Sequence, residues 1–153
     1  MARPAKAPAA ATGRAAPAPR CPAGWSDNTM YAFSAARPGP QGRRTASIII
    51  TRERPPALAG FRKYAATLSA YAGELPGYEL LSQNAATVNR TDLVDVGFRW
   101  TEDDHWVRHR MVFLKTGLRT VTRFNASAEA GDFDTHAATF QVVLDDLLDR
   151  RVG

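Results

Sequence analysis

Apolar side chains alternate with small or polar ones twice in the first third of the chain. Thr29-Met30-Tyr31-Ala32-Phe33 and Ser47-Ile48-Ile49-Ile50-Thr51-Arg52-Glu53 each read as a strand. Between them lies Arg37-Pro38-Gly39-Pro40-Gln41-Gly42, a loop that no helix or strand interior would tolerate. Antiparallel pairing around this loop sets Ala32 beside Ile49 and Met30 beside Thr51. One face of the pair then carries bulky Tyr31, Phe33, Ile48 and Ile50. The other carries Met30, Ala32, Ser34, Ser47, Ile49 and Thr51, apolar but studded with hydroxyls.

Past Pro55-Pro56 the period changes. Leu58, Phe61, Ala65, Leu68, Ala72 and Leu75 recur at spacings of three and four, the stripe of an amphipathic helix closing at Gly73 or Pro76-Gly77. The helix is expected to cover the bulky face of the first two strands. Tyr64 and Tyr71 flank the stripe and read as packing residues rather than a cofactor box. Four strands follow, over 78–83, 91–100, 106–115 and 118–125, with Val94, Val96, Phe98 and Trp100 alternating and Thr116-Gly117 as the tight turn of the last pair. Asp132 or Asp134 can cap a final helix striped by Ala137, Phe140, Leu144 and Leu147 and widened by Val143 and Leu148. Consecutive antiparallel strands, one helix inserted after the second and another at the end, predict an α+β domain.

Charge changes the picture little. The formal net charge is +5, but Arg3, Lys6, Arg14 and Arg20 stand in residues 1–24 without any acid, leaving 16 Lys and Arg against 15 Asp and Glu from Trp25 onward. A fold that grips phosphate concentrates positive charge on one face, and here the excess falls on a tail, so nucleic acid is not an expected partner. Residues 1–20 contain nine Ala and four Pro and no Leu, Ile, Val or aromatic residue. Such a segment buries too little to offset its ordering entropy, so residues 1–21 are expected to be a disordered tail ahead of a single domain over 22–153. The tail lacks the apolar core of a secretory signal, and no stretch approaches the roughly 20 apolar residues of a membrane span, which points to the cytoplasm. Cys21 is the only cysteine, so an intrachain disulfide is excluded.

Candidate chemistry is sparse. His105 and His109, with Asp103 and Asp104, are the one cluster that suggests a metal. On an extended strand, however, the two histidines stand about 13 Å apart and share no ion. Cys21 has no fixed base beside it, neither a Gly-x-Ser-x-Gly elbow nor a glycine-rich phosphate loop occurs, and Asp145, Asp146 and Asp149 read as a solvated helix edge. The expectation is a protein that is not an enzyme and takes no metal or cofactor.

The Trp25-x-Asp27 turn, the strand after it, and a second strand closing on Arg52-Glu53 together resemble the opening of the DcrB-related family, most closely the Eag-type adaptor chaperones of bacterial type VI secretion. The ordered strands and helices extend the resemblance over roughly residues 22–150. It implies an antiparallel sheet of about six strands with helices packed on it, a PsbP/Mog-like α/β/α sandwich. It also implies a homodimer that shields the hydrophobic transmembrane segments of a secreted effector before export. An apolar concave surface is what such a client needs, and hydroxyls can meet the polar backbone and small residues of membrane helices. The matching groove residues are Ser47, Ile49 and Thr51, with Met30 and Ala32 on the adjoining strand. The resemblance places a glutamine near the middle of the 106–114 strand, where this chain has Arg108, His109 and Arg110. Arginines facing a membrane helix would be costly unless paired, and their direction is open at this point. Two other readings stand beside the chaperone: a DcrB-like or PsbP-like protein-binding module with no chaperone role, and a nucleic-acid binder acting through its basic tail.

Overall fold

The structure, a computed structural model, describes residues 20–25, 30–56 and 59–150. The expected tail, apart from Arg20 and Cys21, lies outside the described residues, as do Asp27, Thr29 and Leu58. Six strands and two helices follow one another as β1 (Met30–Pro38), β2 (Thr45–Glu53), α1 (Phe61–Ala72), β3 (Glu79–Val88), β4 (Thr91–Glu102), β5 (His105–Gly117), β6 (Thr120–Glu129) and α2 (Phe133–Asp149). The strands make one sheet in the order β1-β2-β6-β5-β4-β3, every neighbouring pair antiparallel. This is the expected α+β architecture. The expected pairing also holds, with Ala32 opposite Ile49 and Met30 opposite Thr51.

Two tight turns need backbone that few residues adopt. Asn89 and Arg90 (φ 49° and 62°) join β3 to β4, and Asp103 and Asp104 (φ 47° and 64°) join β4 to β5. Both pairs have the two positive φ values of a type I′ hairpin, and Asn and Asp tolerate that region better than most residues. Asp103 and Asp104 are therefore turn residues. The last hairpin departs from expectation: β5 runs through Gly117, and Leu118-Arg119 form the turn.

Each face of the sheet has its own core. On one, α2 lays Phe133, Phe140, Leu144 and Leu148 against Ile48 and Ile50 of β2, Val112 and Leu114 of β5, and Phe124, Ala126 and Ala128 of β6. On the other, α1 packs Ala65 and Ala72, with part-buried Phe61, Tyr64 and Leu68, against Val94, Val96 and Phe98 of β4, Met111 and Phe113 of β5, and Val121 of β6. The bulky face of β1 and β2 is thus the α2 face, and the expectation that α1 would cover it is corrected. Connectivity accounts for the difference. β2 and β3 stand four antiparallel neighbours apart and run in the same direction, so β2-α1-β3 is a crossover within one sheet. Such crossovers have a strongly preferred hand, and that preference, not side-chain bulk on β1 and β2, governs the face α1 takes.

Candidate functional site

Residues paired across an antiparallel sheet point to the same side, so the registers define what lies beside α1. One row runs Ala32, Ile49, Asn125, Met111, Val96, and the next Ser34, Ser47, Ser127, His109, Phe98. A third joins Met30, Thr51, Arg123, Phe113 and Val94. The helix covers the β4–β5 end of these rows and leaves the β1–β2 end open. All five sequence-derived groove residues, Met30, Ala32, Ser47, Ile49 and Thr51, stand on this open part of the face. Ile49 is 40% exposed although its strand has a neighbour on each side, and Met30 is 64% exposed.

The floor is half polar by construction. Ser47 and Ser127 share a hydrogen bond of 3.1 Å between their hydroxyls, and Asn125 Oδ1 lies 3.2 Å from His109 Nδ1. With the amide oxygen toward the ring, Nδ1 carries the proton and donates. His109 also stacks on Phe98, ring centres 5.0 Å apart. Its pKa falls to about 4, chiefly because burial penalises the imidazolium; Arg44 pushes the same way, while Asn125 and Glu102 oppose. Asn125 and Ser127 were missed by sequence reasoning. Their alternation with Phe124 and Ala126 was the available signal, since it puts them on the face of Ile49 once β6 is known to lie beside β2.

Arg108 and Arg110 point away from this face. Arg110 spans the sheet's other side, meeting Asp95 at 2.7 Å and donating to Gln141 of α2 at 2.8 Å. Arg108 reaches Asp134 at 3.1 Å and lies 4.5 Å from the Phe133 ring centre. Of these three polar residues only His109 faces the α1 side, uncharged at neutral pH.

Polar structures close both ends of the open face. At one, Tyr64 of α1 donates to Glu53 at 2.6 Å, and Glu53 also takes Arg123 at 2.6 Å and Thr51 at 3.1 Å. Burial first, then the hydrogen bond and negative charge of Glu53, push the Tyr64 hydroxyl up to about 12, against a smaller opposing effect of Arg123. At the other end the β1–β2 loop folds onto the sheet. Glu129, only 3% exposed, accepts backbone N–H groups from Gln41 (3.0 Å), Arg43 (2.8 Å) and Arg44 (3.1 Å). A side chain at Gly39 would strike the Glu129 carboxylate, so the loop passes only with glycine there. Arg44 then lies 5.7 Å from the Trp100 ring centre and pairs with Glu102 at 2.8 Å.

The opposite face has concavities of its own. A cavity of about 520 Å³ runs between β1 and α2, lined mainly by Tyr31, Phe33, Ile48, Ile50, Val142 and Leu147. It shares Tyr31, Ile50, Leu147 and Arg150 with a neighbour of about 390 Å³. Tyr31 and Phe33 are 52% and 50% exposed. Among the described residues no three His, Cys, Asp or Glu side chains gather as a metal site would require, and His105 instead meets Gln41 at 3.1 Å. Nor is any described helix long and apolar enough to cross a membrane.

A pH effect follows from His109. A histidine held neutral by burial must be protonated as acid unfolds the protein, so its folded pKa lies below its unfolded one. The stability it contributes is complete above about 6.5 and is lost as pH falls from there toward 4, a change of roughly 3 kcal/mol. Denaturant titrations across that window should show the loss, and His109→Gln should flatten it.

One antiparallel sheet with a helix on each face and a half-open surface beside α1 define a domain of the α+β class. The DcrB family model matches residues 20–146, and the chain belongs to that family. No curated protein matches the chain significantly. Among solved structures it is similar to PA94 from Pseudomonas aeruginosa, a protein of unknown function described as a putative regulator. That match has a TM-score of 0.69 and 22% identity, covering 81% of this chain and 85% of that one. It is also similar to LpqN of Mycobacterium tuberculosis, described as involved in cell envelope biogenesis, with a TM-score of 0.54, 16% identity and coverage of 68% and 62%. A weaker match is the cyanobacterial PsbP of Synechocystis sp. PCC 6803, at 0.44 and 13%, covering 85% and 97%. At these identities the first two likenesses concern the fold alone.

Proposed function

We propose that the chain is a cytoplasmic adaptor chaperone that shields a hydrophobic transmembrane segment of a type VI secretion effector before export, working as a homodimer without catalysis, metal or cofactor. The observation that carries this reading is the exposure of Ile49 on an interior strand, flanked by Met30 and Ala32 and by the hydroxyls of Ser47 and Thr51. An aliphatic side chain left 40% exposed on a paired strand has apolar surface still to bury. The two open strands, β1 and β2, at about 4.8 Å spacing give a floor about 10 Å wide, matching a helix about 10–12 Å across. The arginines of β5 turn their charges to the other face, so they do not oppose an apolar client. The resemblance to the Eag-type chaperones supports the same reading.

Ile49→Gln tests it. An amide at that position removes aliphatic contact where the client has no polar partner to offer, and burial of one such side chain is worth about 1.5–3 kcal/mol. Co-purification with the hydrophobic N-terminal segment of the effector encoded beside this gene should fall about tenfold or more, while circular dichroism of the variant alone stays native. A variant that binds as well as the parent places the client surface elsewhere; one that unfolds makes Ile49 a core residue.

A further inference from the structure

The cleft on the α2 side of the sheet changes character along its length. Its apolar end lies between β1 and α2, where Phe33, Ile48, Val142 and Val143 line the larger cavity of about 520 Å³. Tyr31, Ile50, Leu147 and Arg150 line both cavities and make them one continuous trough. The smaller cavity continues it to Arg52, Thr116, Thr120 and Thr122, and among the described residues that line it there is no carboxylate. Strand parity and helix direction set this gradient. Ile48, Ile50 and Arg52 share one face of β2, opposite Ala126, Phe124 and Thr122 of β6, while Phe33 and Tyr31 of β1 flank the two isoleucines. Beside them α2 passes Val142, then Leu147, and is capped by Arg150. One end therefore leaves apolar surface in water, Val142 being 67% exposed, and the other presents two guanidinium groups.

We infer that this trough binds one long-chain carboxylate, its hydrocarbon tail between Tyr31, Phe33 and Val142 and its head between Arg52 and Arg150. Charge selects the head, because the planar forks of two guanidinium groups match carboxylate oxygens. The threonines give that end polar walls. One acid tempers the site: Asp146 lines the apolar cavity and pairs with Arg150 at 2.8 Å. Both members of the pair are exposed, so it is weak and Arg150 can turn from it to a ligand. Length selects the tail. β2 advances about 13 Å from Ile48 to Arg52, and α2 advances about 16 Å from Thr139 to Arg150. An extended carbon chain advances about 1.2 Å per bond, so a chain of about twelve carbons spans the trough. A cavity of this size with mostly apolar walls and a few convergent polar groups has the make-up of a small-molecule site. It lies on the face opposite Ile49, so the inference does not rest on the adaptor reading.

Isothermal titration calorimetry of the full chain tests it, with dodecanoate, octanoate and dodecyltrimethylammonium as probes below their micellar concentrations. Dodecanoate should bind saturably at one per chain, octanoate at least about tenfold more weakly for its missing methylenes, and the cation not at all. Arg52→Gln combined with Arg150→Gln should weaken dodecanoate binding about tenfold or more, whereas Asp146→Asn, which releases Arg150, should tighten it. Val142→Trp lays a ring over the preceding turn and fills the apolar end, so this variant should bind octanoate at least as well as dodecanoate. Ile49→Gln should bind dodecanoate as the parent does. Circular dichroism checks the fold of each variant. If the double arginine variant does not fold, Asp146→Asn and Val142→Trp, both at exposed helix positions, decide. Absence of saturable dodecanoate binding overturns the proposal, whether the trough stays empty or a second copy of the chain seals it. Equal binding of the cation overturns it as well. So does a loss of binding in Ile49→Gln that the arginine and Val142 variants do not share, which would put the tail on the open face. Sedimentation with phosphatidylglycerol vesicles without uptake of free dodecanoate would make the two arginines a membrane contact, and this too overturns the site.

Discussion

Phe113→Ala should lower the unfolding free energy by about 3–5 kcal/mol, enough to leave the domain at the edge of folding. Phe113 is fully buried in the middle of β5, beneath α1, with Val94 and Arg123 as its cross-strand neighbours. Removing its ring opens a cavity that neither the sheet nor the helix can close without losing the other's contacts. The effect should far exceed that of truncating the helix side of the same core. Phe61 and Leu68 are only part-buried, so Phe61→Ala or Leu68→Ala should cost about 1–2 kcal/mol. Guanidinium unfolding of the three variants measures the order. Equal losses would mean that α1 is as essential to the fold as β5, and that its placement toward one side of the face is not what leaves Ile49 open.

That asymmetry is also where sequence reasoning stopped. Periods of two and of three to four residues located all six strands and both helices, and the alternation in β1 and β2 sufficed for their register because a slip by one residue would exchange the two faces of the pair. What periodicity cannot carry is which face a helix takes when both faces are apolar. The bulk of Tyr31, Phe33, Ile48 and Ile50 suggested α1, but the crossover put α1 on the other side and left the bulky face to α2. Met30, Ala32, Ser47, Ile49 and Thr51 were legible as a set because they share strand parity. Asn125 and Ser127 became legible only with the strand order, in which β6 lies between β2 and β5. His109, Arg108 and Arg110 show the same limit: three consecutive polar residues on a buried strand are ambiguous until the face of each is known, and only His109 faces the groove side.

Glu129→Ala should be the most damaging change outside the apolar core. In sequence it is an ordinary acid at the end of a strand; in the fold it anchors the β1–β2 loop that closes one end of the open face. Its carboxylate gathers three backbone donors, Arg43 and Arg44 on Oε1 and Gln41 on Oε2. Alanine would leave those N–H groups beneath the loop without an acceptor, at a cost of about 3 kcal/mol, and Arg44 would lose its place over Trp100. Glu129→Gln should fall between, since an amide keeps one accepting oxygen but presents an N–H to a backbone donor. Acid should act on the same contact. Burial alone would raise the Glu129 pKa, but the three N–H donors, with His105 nearby, outweigh it and hold the group below the ordinary carboxylate range. A depressed folded pKa means that the stability is present above the unfolded value near 4.5 and is lost as pH falls through the folded one. That window lies below the one governed by His109, so the two losses should appear in sequence on acidification. Hydrogen exchange at the amides of Gln41, Arg43 and Arg44 reads the loop directly. In Glu129→Ala these amides should exchange about a hundredfold faster at neutral pH, as a loss of about 3 kcal/mol in local protection requires. Unchanged protection there would show that the loop is held by Gly39 and Arg44 backbone contacts instead, and that Glu129 is not its anchor.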